Sequence, residues 1–404
     1  MTPSPTARFA DRTTPPHIIT LVLLAGIGAL NMSIFLPSLT AMTAYFDTTY
    51  AVIQISLSGY LAMTAVLQIF IGPISDKVGR RRVVLASLAI FIVATIGALF
   101  STSVEAFLAF RMMQAAVATS LVLSRTIVRD MVPQDQAASM IGYVTMGMAL
   151  VPMIGPMIGG ALEQLAGWHA TFTFLTLAGL AVFALCYVDL GETVQDGGLS
   201  FRDQIKGWPA LFGSPRFWGY SLCMAFASGA FFALLGGASF VASEVFNLDP
   251  FWSGFGLGAP ATGYALGNFF SGRFSVRLGI NKMATIGTFI TIIGMGASLA
   301  IALGGFQHPI VFFGFCTLMG LGNGMTLPNA MAGLLSVRPR LAGTASGLGG
   351  AIMVAGGAAL SQYAGGLLTV ESGTLPLQWL MFIVSVLAMF SLLFVVWRER
   401  QIGA

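Results

Sequence analysis

Apolar residues in this chain fall into long unbroken runs, separated by short polar gaps. Twelve runs can be marked, at 18–39, 52–71, 83–101, 106–124, 138–162, 170–188, 217–241, 252–271, 283–304, 309–334, 343–368 and 376–397. A helix needs about 20 mostly apolar residues to cross the hydrocarbon core of a bilayer, so each run predicts a membrane-spanning helix. The expected fold class is therefore all-α, with 12 transmembrane helices, and the gaps are too short for a separate soluble domain.

The polar gaps alternate in kind. Eighteen of the nineteen Lys and Arg residues cluster at Arg8/Arg12, Lys77/Arg80/Arg81/Arg82, Arg125/Arg129, Arg202/Lys206/Arg216, Arg273/Arg277/Lys282, Arg338/Arg340 and Arg398/Arg400. The intervening gaps, around Asp47, Glu105, Glu163, Glu244–Asp249, His308 and Glu371, carry acids or histidine but no Lys or Arg. Bases are retained on the cytoplasmic side of a membrane. The alternation predicts an even number of spans in the inner (plasma) membrane, with both termini cytoplasmic. Arg111 alone breaks it.

Composition sharpens this reading. Of 404 residues 56% are hydrophobic and 8% charged, with a mean hydropathy of +0.86, whereas a soluble domain carries about 25% charged residues. The net charge of +4 faces anionic lipid from helix ends and implies no nucleic-acid partner. Cys186, Cys223 and Cys316 all lie within apolar runs, so no disulfide framework is expected. The first apolar run lacks a small-residue cleavage site and is read as a retained span. A P-loop, a His-Glu-x-x-His helix and a Gly-x-Ser-x-Gly elbow are absent from the sequence, which sets aside those routes to hydrolysis. No Cys/His cluster has metal-ligand spacing. Neither enzyme chemistry nor a cofactor is implied.

The least hydrophobic stretch, 189–216, separates six runs from six. It divides the chain into an N-terminal six-helix bundle (1–188), a cytoplasmic linker, and a C-terminal six-helix bundle (217–404). Trp208 and Phe212 predict a short interfacial helix in the linker. An internal repeat supports the division: Gly72/Gly272, Ser75/Ser275, Lys77/Arg277, Gly79/Gly279 and Arg82/Lys282 match at an offset of 200. Parallel six-helix repeats are a transporter architecture.

Gly72 and Gly79 are read as permitting the tight reversal after the second span. Asp76 is placed to cap a neighbouring helix or to pair with a base. The repeat copy keeps glycines and bases but has Val276 where the first has Asp76, so topology alone does not require the acid. The Gly-x-x-x-Asp-Lys-x-Gly-Arg-Arg-Arg spacing resembles the signature loop of the major facilitator superfamily. That resemblance implies that Gly72, Asp76, Gly79, Arg80 and Arg81 latch the two halves in an outward-open state; the alternative is a simple topology anchor. Pro152, Gly155, Pro156, Gly159 and Gly160 resemble the Gly-Pro-x-x-Gly-Gly element of the family's antiporters, or else form a generic small-residue helix contact.

Arg111 lies inside the fourth run, with Gln114 three residues on, as in the family's fourth span. It either faces a cavity, handling substrate or protons, or snorkels outward. Asn31-Met-Ser-Ile-Phe-Leu-Pro37 and Arg125-Thr-Ile-Val-Arg-Asp130 are similar to the bicyclomycin/chloramphenicol-resistance (Bcr/CflA) group of drug:proton antiporters. Ser33 stands where those proteins commonly have Asp, and no acid lies well inside any run. Any proton coupling is therefore expected to run through Asp76 or Glu163 together with Arg111.

Asn31, Ser33, Tyr60, Tyr264, Asn268, Asn323 and Gln362 are the candidate cavity residues, although interhelical hydrogen bonding is an equal account of each. Phe and Met could add an adaptable apolar lining. The resemblance implies a monomeric secondary active exporter of small amphipathic molecules, with protons and lipid as its other partners. Export or facilitated passage of an endogenous metabolite, or membrane sensing without transport, are the alternatives.

Overall fold

The computed structural model describes residues 8–131, 134–193 and 201–402, and they are helical throughout apart from short connections. In chain order the helices are α1 (Ile18–Ser33), α2 (Leu39–Tyr45), α3 (Tyr50–Ile53), α4 (Ile55–Val78), α5 (Arg80–Leu99), α6 (Val104–Gln114), α7 (Thr119–Met131), α8 (Gln134–Ala166), α9 (Trp168–Asp189), α10 (Phe201–Phe212), α11 (Pro215–Phe240), α12 (Pro250–Leu278), α13 (Ile280–Leu303), α14 (Pro309–Ser336), α15 (Ala342–Leu367) and α16 (Leu375–Ile402). Among the described residues, ten helical segments are long and apolar enough to cross a membrane. Two further long helices, α8 and α12, occupy the fifth and eighth predicted runs. The glycines, serines and bases of α12 dilute its apolar character.

Local chemistry sets the helix ends. Ser103 and Asp249 accept hydrogen bonds from the backbone amides of Ala106 and Trp252, and Pro215, Pro250 and Pro309 occupy first-turn positions, where a missing N–H costs nothing. A single residue, Gly79, turns the chain from α4 into α5 with φ 105°, and Gly279 does the same between α12 and α13 with φ 85°. Only glycine adopts such angles without strain. Gly72 is not part of this reversal, contrary to expectation: α4 runs unbroken to Val78, and a methyl added at Gly72 would meet nothing within 4 Å.

The repeat extends to tertiary bonds. Arg81 donates to the carbonyls of Tyr187 and Leu190 at the end of α9, both at 2.6 Å. Its counterpart Asn281 ties to Glu399 on α16, which also pairs with Arg216 at 2.6 Å. In both halves the first reversal is thus fastened to the last long helix, and these bonds gather the basic clusters at one end of the molecule.

Apolar packing is distributed unevenly along this axis. One core lies within the first half near the basic end (Leu21, Val84, Val128, Leu190), and another lies within the second half at the same end (Phe217, Tyr220, Leu334, Val395). The largest core joins both halves at the opposite end, where Phe35, Tyr50 and Phe172 pack in one cluster with Leu234, Phe312 and Met381. The halves are fused at one end and packed separately at the other.

Asp189 is the last residue of α9 rather than the start of the linker, and it is fully buried. It accepts hydrogen bonds from Ala10 N (2.7 Å), His17 N (2.9 Å) and Thr20 Oγ1 (2.6 Å). The linker does carry a helix, α10, whose Gly207 packs on Leu341; Arg202 and its neighbours at 194–204 lie outside the described side chains.

Candidate functional site

Two helices that read as continuous spans in the sequence are broken. α1 stops at Ser33, ahead of a 3-10 turn at Leu36–Ser38 that contains Pro37. The fourth span changes from α6 to α7 through a 3-10 stretch at Ala115–Ala118. Such interruptions often accompany function, and here they flank a buried guanidinium.

Arg111 has no exposed surface, so the snorkelling account does not hold. Its Nε donates to the Ser56 carbonyl at 3.2 Å, and its Nη1 to Asn31 Oδ1 at 3.1 Å and to Gln114 Oε1. Gln114 in turn donates to Thr95 Oγ1 at 2.8 Å. The ring of Phe35 lies 4.0 Å from the guanidinium carbon and that of Tyr60 lies 5.3 Å away. These cation–π contacts stabilise a desolvated cation. Arg111 Nη2 and Asn31 Nδ2 have no hydrogen-bond partner, and no carboxylate is among the bonds that Arg111 makes.

The expected grouping of Arg111 with acids does not form. Asp76 pairs with Arg80 at the basic end, and Arg80, 6% exposed, also reaches Asp130 at 3.1 Å and Ser75. Glu192 accepts from the Arg80 amide at 2.8 Å. Glu163 lies near the far end of α8, with its Oε2 buried and unpartnered. The opposite ends of the bundle hold the two acids, and neither bonds to Arg111.

The Pro/Gly element of α8 is a two-sided contact. A Cβ at Gly159 would overlap the Ile34 carbonyl, one at Gly160 the Pro250 carbonyl, and one at Gly155 would lie 2.9 Å from Ser33 Oγ. Gly254 of α12 returns the contact on the Pro156 carbonyl. Pro152, one turn before Gly155, lines a central cavity of about 320 Å³ between the halves.

That cavity gathers Tyr60, Gln68, Arg125, Phe231, Tyr264 and Asn323, from both halves. Its lining runs from mid-span toward the basic end. Beyond it, toward the opposite end, bonds join the halves: Tyr50 Oη to the Gly236 carbonyl (3.0 Å), Ser239 Oγ to the Leu36 carbonyl (2.5 Å), and Gln362 Nε2 to the Ala51 carbonyl (2.9 Å).

Of the seven cavity candidates, Tyr60, Tyr264 and Asn323 line it. The other four do not. Asn31 is spent on Arg111, and Ser33 bonds the Ala29 carbonyl behind Gly155. Asn268 bonds back to the Tyr264 carbonyl, and Gln362 belongs to the seal, accepting also from Ser58 at 2.6 Å. Arg125 was missed because its cluster reads as a topology signal. Its spacing of fourteen from Arg111 is nearly four helical turns, which places both on one side of the span.

A family model described as the Major Facilitator Superfamily matches residues 21–361. The chain belongs to that superfamily. A bicyclomycin resistance protein homolog of Haemophilus influenzae is 27% identical over 356 residues, covering 86% of this chain and 88% of that one. A chloramphenicol resistance protein of Pseudomonas aeruginosa is 34% identical over 210 residues, covering 51% and 49%. The resemblance to the Bcr/CflA-type proteins is thus carried by whole-length and half-length relatives. Among solved structures, an inward-facing, occupied bacterial homolog of the human lysosomal transporter Spinster superposes with a TM-score of 0.70 at 16% identity, covering 95% of this chain and 96% of that chain. The chain is a multi-pass membrane protein with the superfamily's helical fold.

Proposed function

We propose that this protein is a secondary active exporter of small amphipathic molecules, working by alternating access in the inner membrane. Residues 1–188 and 217–404 are the two rocking bundles, joined through 189–216, with both termini cytoplasmic. The observation that carries this reading is the central cavity, lined from both halves and, among the described residues, sealed by inter-half hydrogen bonds only on the side away from the basic clusters. With the bases on the cytoplasmic side, this is an inward-facing state able to take up a cytoplasmic solute. The loop at Asp76–Arg81 is the latch of the opposite state, and Arg111 handles substrate or protons within the first bundle.

Proton antiport is the energy source in this reading, and the relatives' resistance names support its efflux part. One observation favours facilitated passage as the second reading: among the described cavity-lining residues there is no Asp or Glu, the usual proton carriers. Uptake into inverted vesicles, from an efflux-deficient host expressing this chain, separates the two. An imposed proton gradient drives accumulation in an antiporter and leaves a facilitator's equilibrium level unchanged. Absence of flux for every compound of a broad drug and metabolite panel would sink the transporter reading itself.

A further inference from the structure

Resting on that transport reading, we infer that the central cavity selects anions: its preferred cargo is a small amphipathic acid, an aromatic or aliphatic body bearing one carboxylate or equivalent negative charge, held by Arg125 and Asn323.

Three observations converge. Arg125 is the single formally charged residue among the described residues lining the cavity. It is exposed there and, among the described residues, forms no ion pair or hydrogen bond. Two bases at the start of α5 behave differently: Arg80 has Asp76 and Asp130, and Arg81 has two carbonyls. A guanidinium left unspent inside a cavity offers a planar fork of donors matched to a carboxylate.

Across the cavity, on α14, Asn323 is 4% exposed and its Oδ1 has no partner. A buried carbonyl oxygen without a donor is costly, and an N–H or O–H on the body of the cargo would satisfy it; a carboxylate, which only accepts, meets the Nδ2 donors instead. Those N–H donors are suited to the second oxygen of an acid or to an ester or amide on the body of the cargo.

The rest of the lining is apolar and aromatic. Phe231, Phe232, Met32 and Met353 line the cavity, together with Tyr60 and Tyr264. This is the usual make-up of a ligand site, apolar walls with a few placed polar groups. A cationic drug would meet Arg125 with no acid to offset the repulsion, and a neutral one would leave the guanidinium desolvated and unpaired. Discrimination thus arises against the wrong charge as well as toward the right one.

The test uses full-length protein in nanodiscs and three labelled probes of one skeleton: 2-naphthoate, 2-naphthamide and 2-naphthylmethylamine. Wild type is expected to bind the acid about tenfold or more tighter than the amide, with the amine weakest, since a bond to a charged partner is worth that much. Arg125→Gln brings the acid down to the amide's affinity, and Arg125→Lys keeps part of the preference. Asn323→Ala weakens acid and amide together. Monodispersity on size exclusion confirms that each variant is folded.

Equal or tighter binding of the amine by wild type overturns the inference, as does an acid preference that survives Arg125→Gln. Wild type that binds none of the three at millimolar concentration overturns it as well. The drug-panel flux is read separately. Flux of neutral or cationic compounds alongside any of these results removes the anion preference and leaves the exporter reading standing; acid binding without flux does the reverse.

Discussion

Gln54 Nε2 donates to Ser361 Oγ at 2.9 Å, a bond between α4 of the first half and α15 of the second. Gly365 packs on the Gln54 side chain one turn further along α15. Both groups are buried, and the bond sits in the row that closes the end away from the basic clusters. In the proposed alternating-access cycle it belongs to one conformation only, because the two helices part there once the halves rock.

Removing bonds from this row should shift the population toward the outward-open state. Tyr50→Phe and Ser239→Ala each delete one inter-half hydrogen bond, worth about 1 kcal/mol, so each changes the ratio of states about fivefold. A cysteine at Ala29 in a Cys-less background should react faster with an external impermeant thiol reagent when either change is present. Unaltered labelling in both would mean that these bonds are not broken in the cycle.

The glycines of α8 should rank by what a methyl meets. Gly159→Ala and Gly160→Ala press on the backbone carbonyls of Ile34 and Pro250, whereas Gly155→Ala meets a serine hydroxyl at 2.9 Å. Overpacking costs about 1–3 kcal/mol, so the first two variants should lose several degrees of thermal stability in detergent and most of their flux. The third is expected to be milder. A flat ranking would point to a generic contact.

Asp76→Asn should lower stability by about 1.5–3 kcal/mol, because a buried Arg80 loses one of its two carboxylates. Val276 occupies the matching place in the repeat and is 94% exposed, so Val276→Ala should leave stability and flux near wild type. Parallel thermal melts and flux assays of the two variants decide between a latch and a mere anchor.

Arg111→Ala should abolish flux while membrane expression stays normal. Arg111→Lys should recover little, since one ammonium cannot reproduce a planar fork that reaches the Ser56 carbonyl and Asn31 while facing Phe35. Wild-type flux in the alanine variant would remove Arg111 from the transport machinery.

Sidedness has its own check. Single cysteines at positions 47 and 371 should label from outside intact cells, and one at 206 should not. Labelling at 206 would invert the orientation and, with it, the direction assigned to the cavity.

The spans and the repeat were legible because bilayer solvation acts residue by residue, so apolar length and basic clusters report it directly. The turns at Gly79 and Gly279 were legible for a similarly local reason, a backbone angle that other residues avoid. Gly72 was misread because a glycine inside a helix leaves no local mark of whether the helix continues. The cavity was half legible. Whether a polar side chain lines a cavity or bonds to a neighbour depends on contacts between helices distant in sequence. Asn31 and Gln362 spend their amide oxygens on such contacts, whereas the Asn323 oxygen has no donor. Arg125 was hidden by its own cluster, since a base near a helix end looks the same whether it faces headgroups or the interior.

The carboxylate of Asp189 sets a boundary for engineering the protein. Its three donors come from positions 10, 17 and 20, so the segment ahead of the first span is clasped by the sixth and does not trail free. Affinity tags and fluorescent fusions belong upstream of position 8. Trimming past position 17 would strip two donors from a sequestered anion, and the damage would surface as poor folding yield, which is easily mistaken for failed membrane targeting.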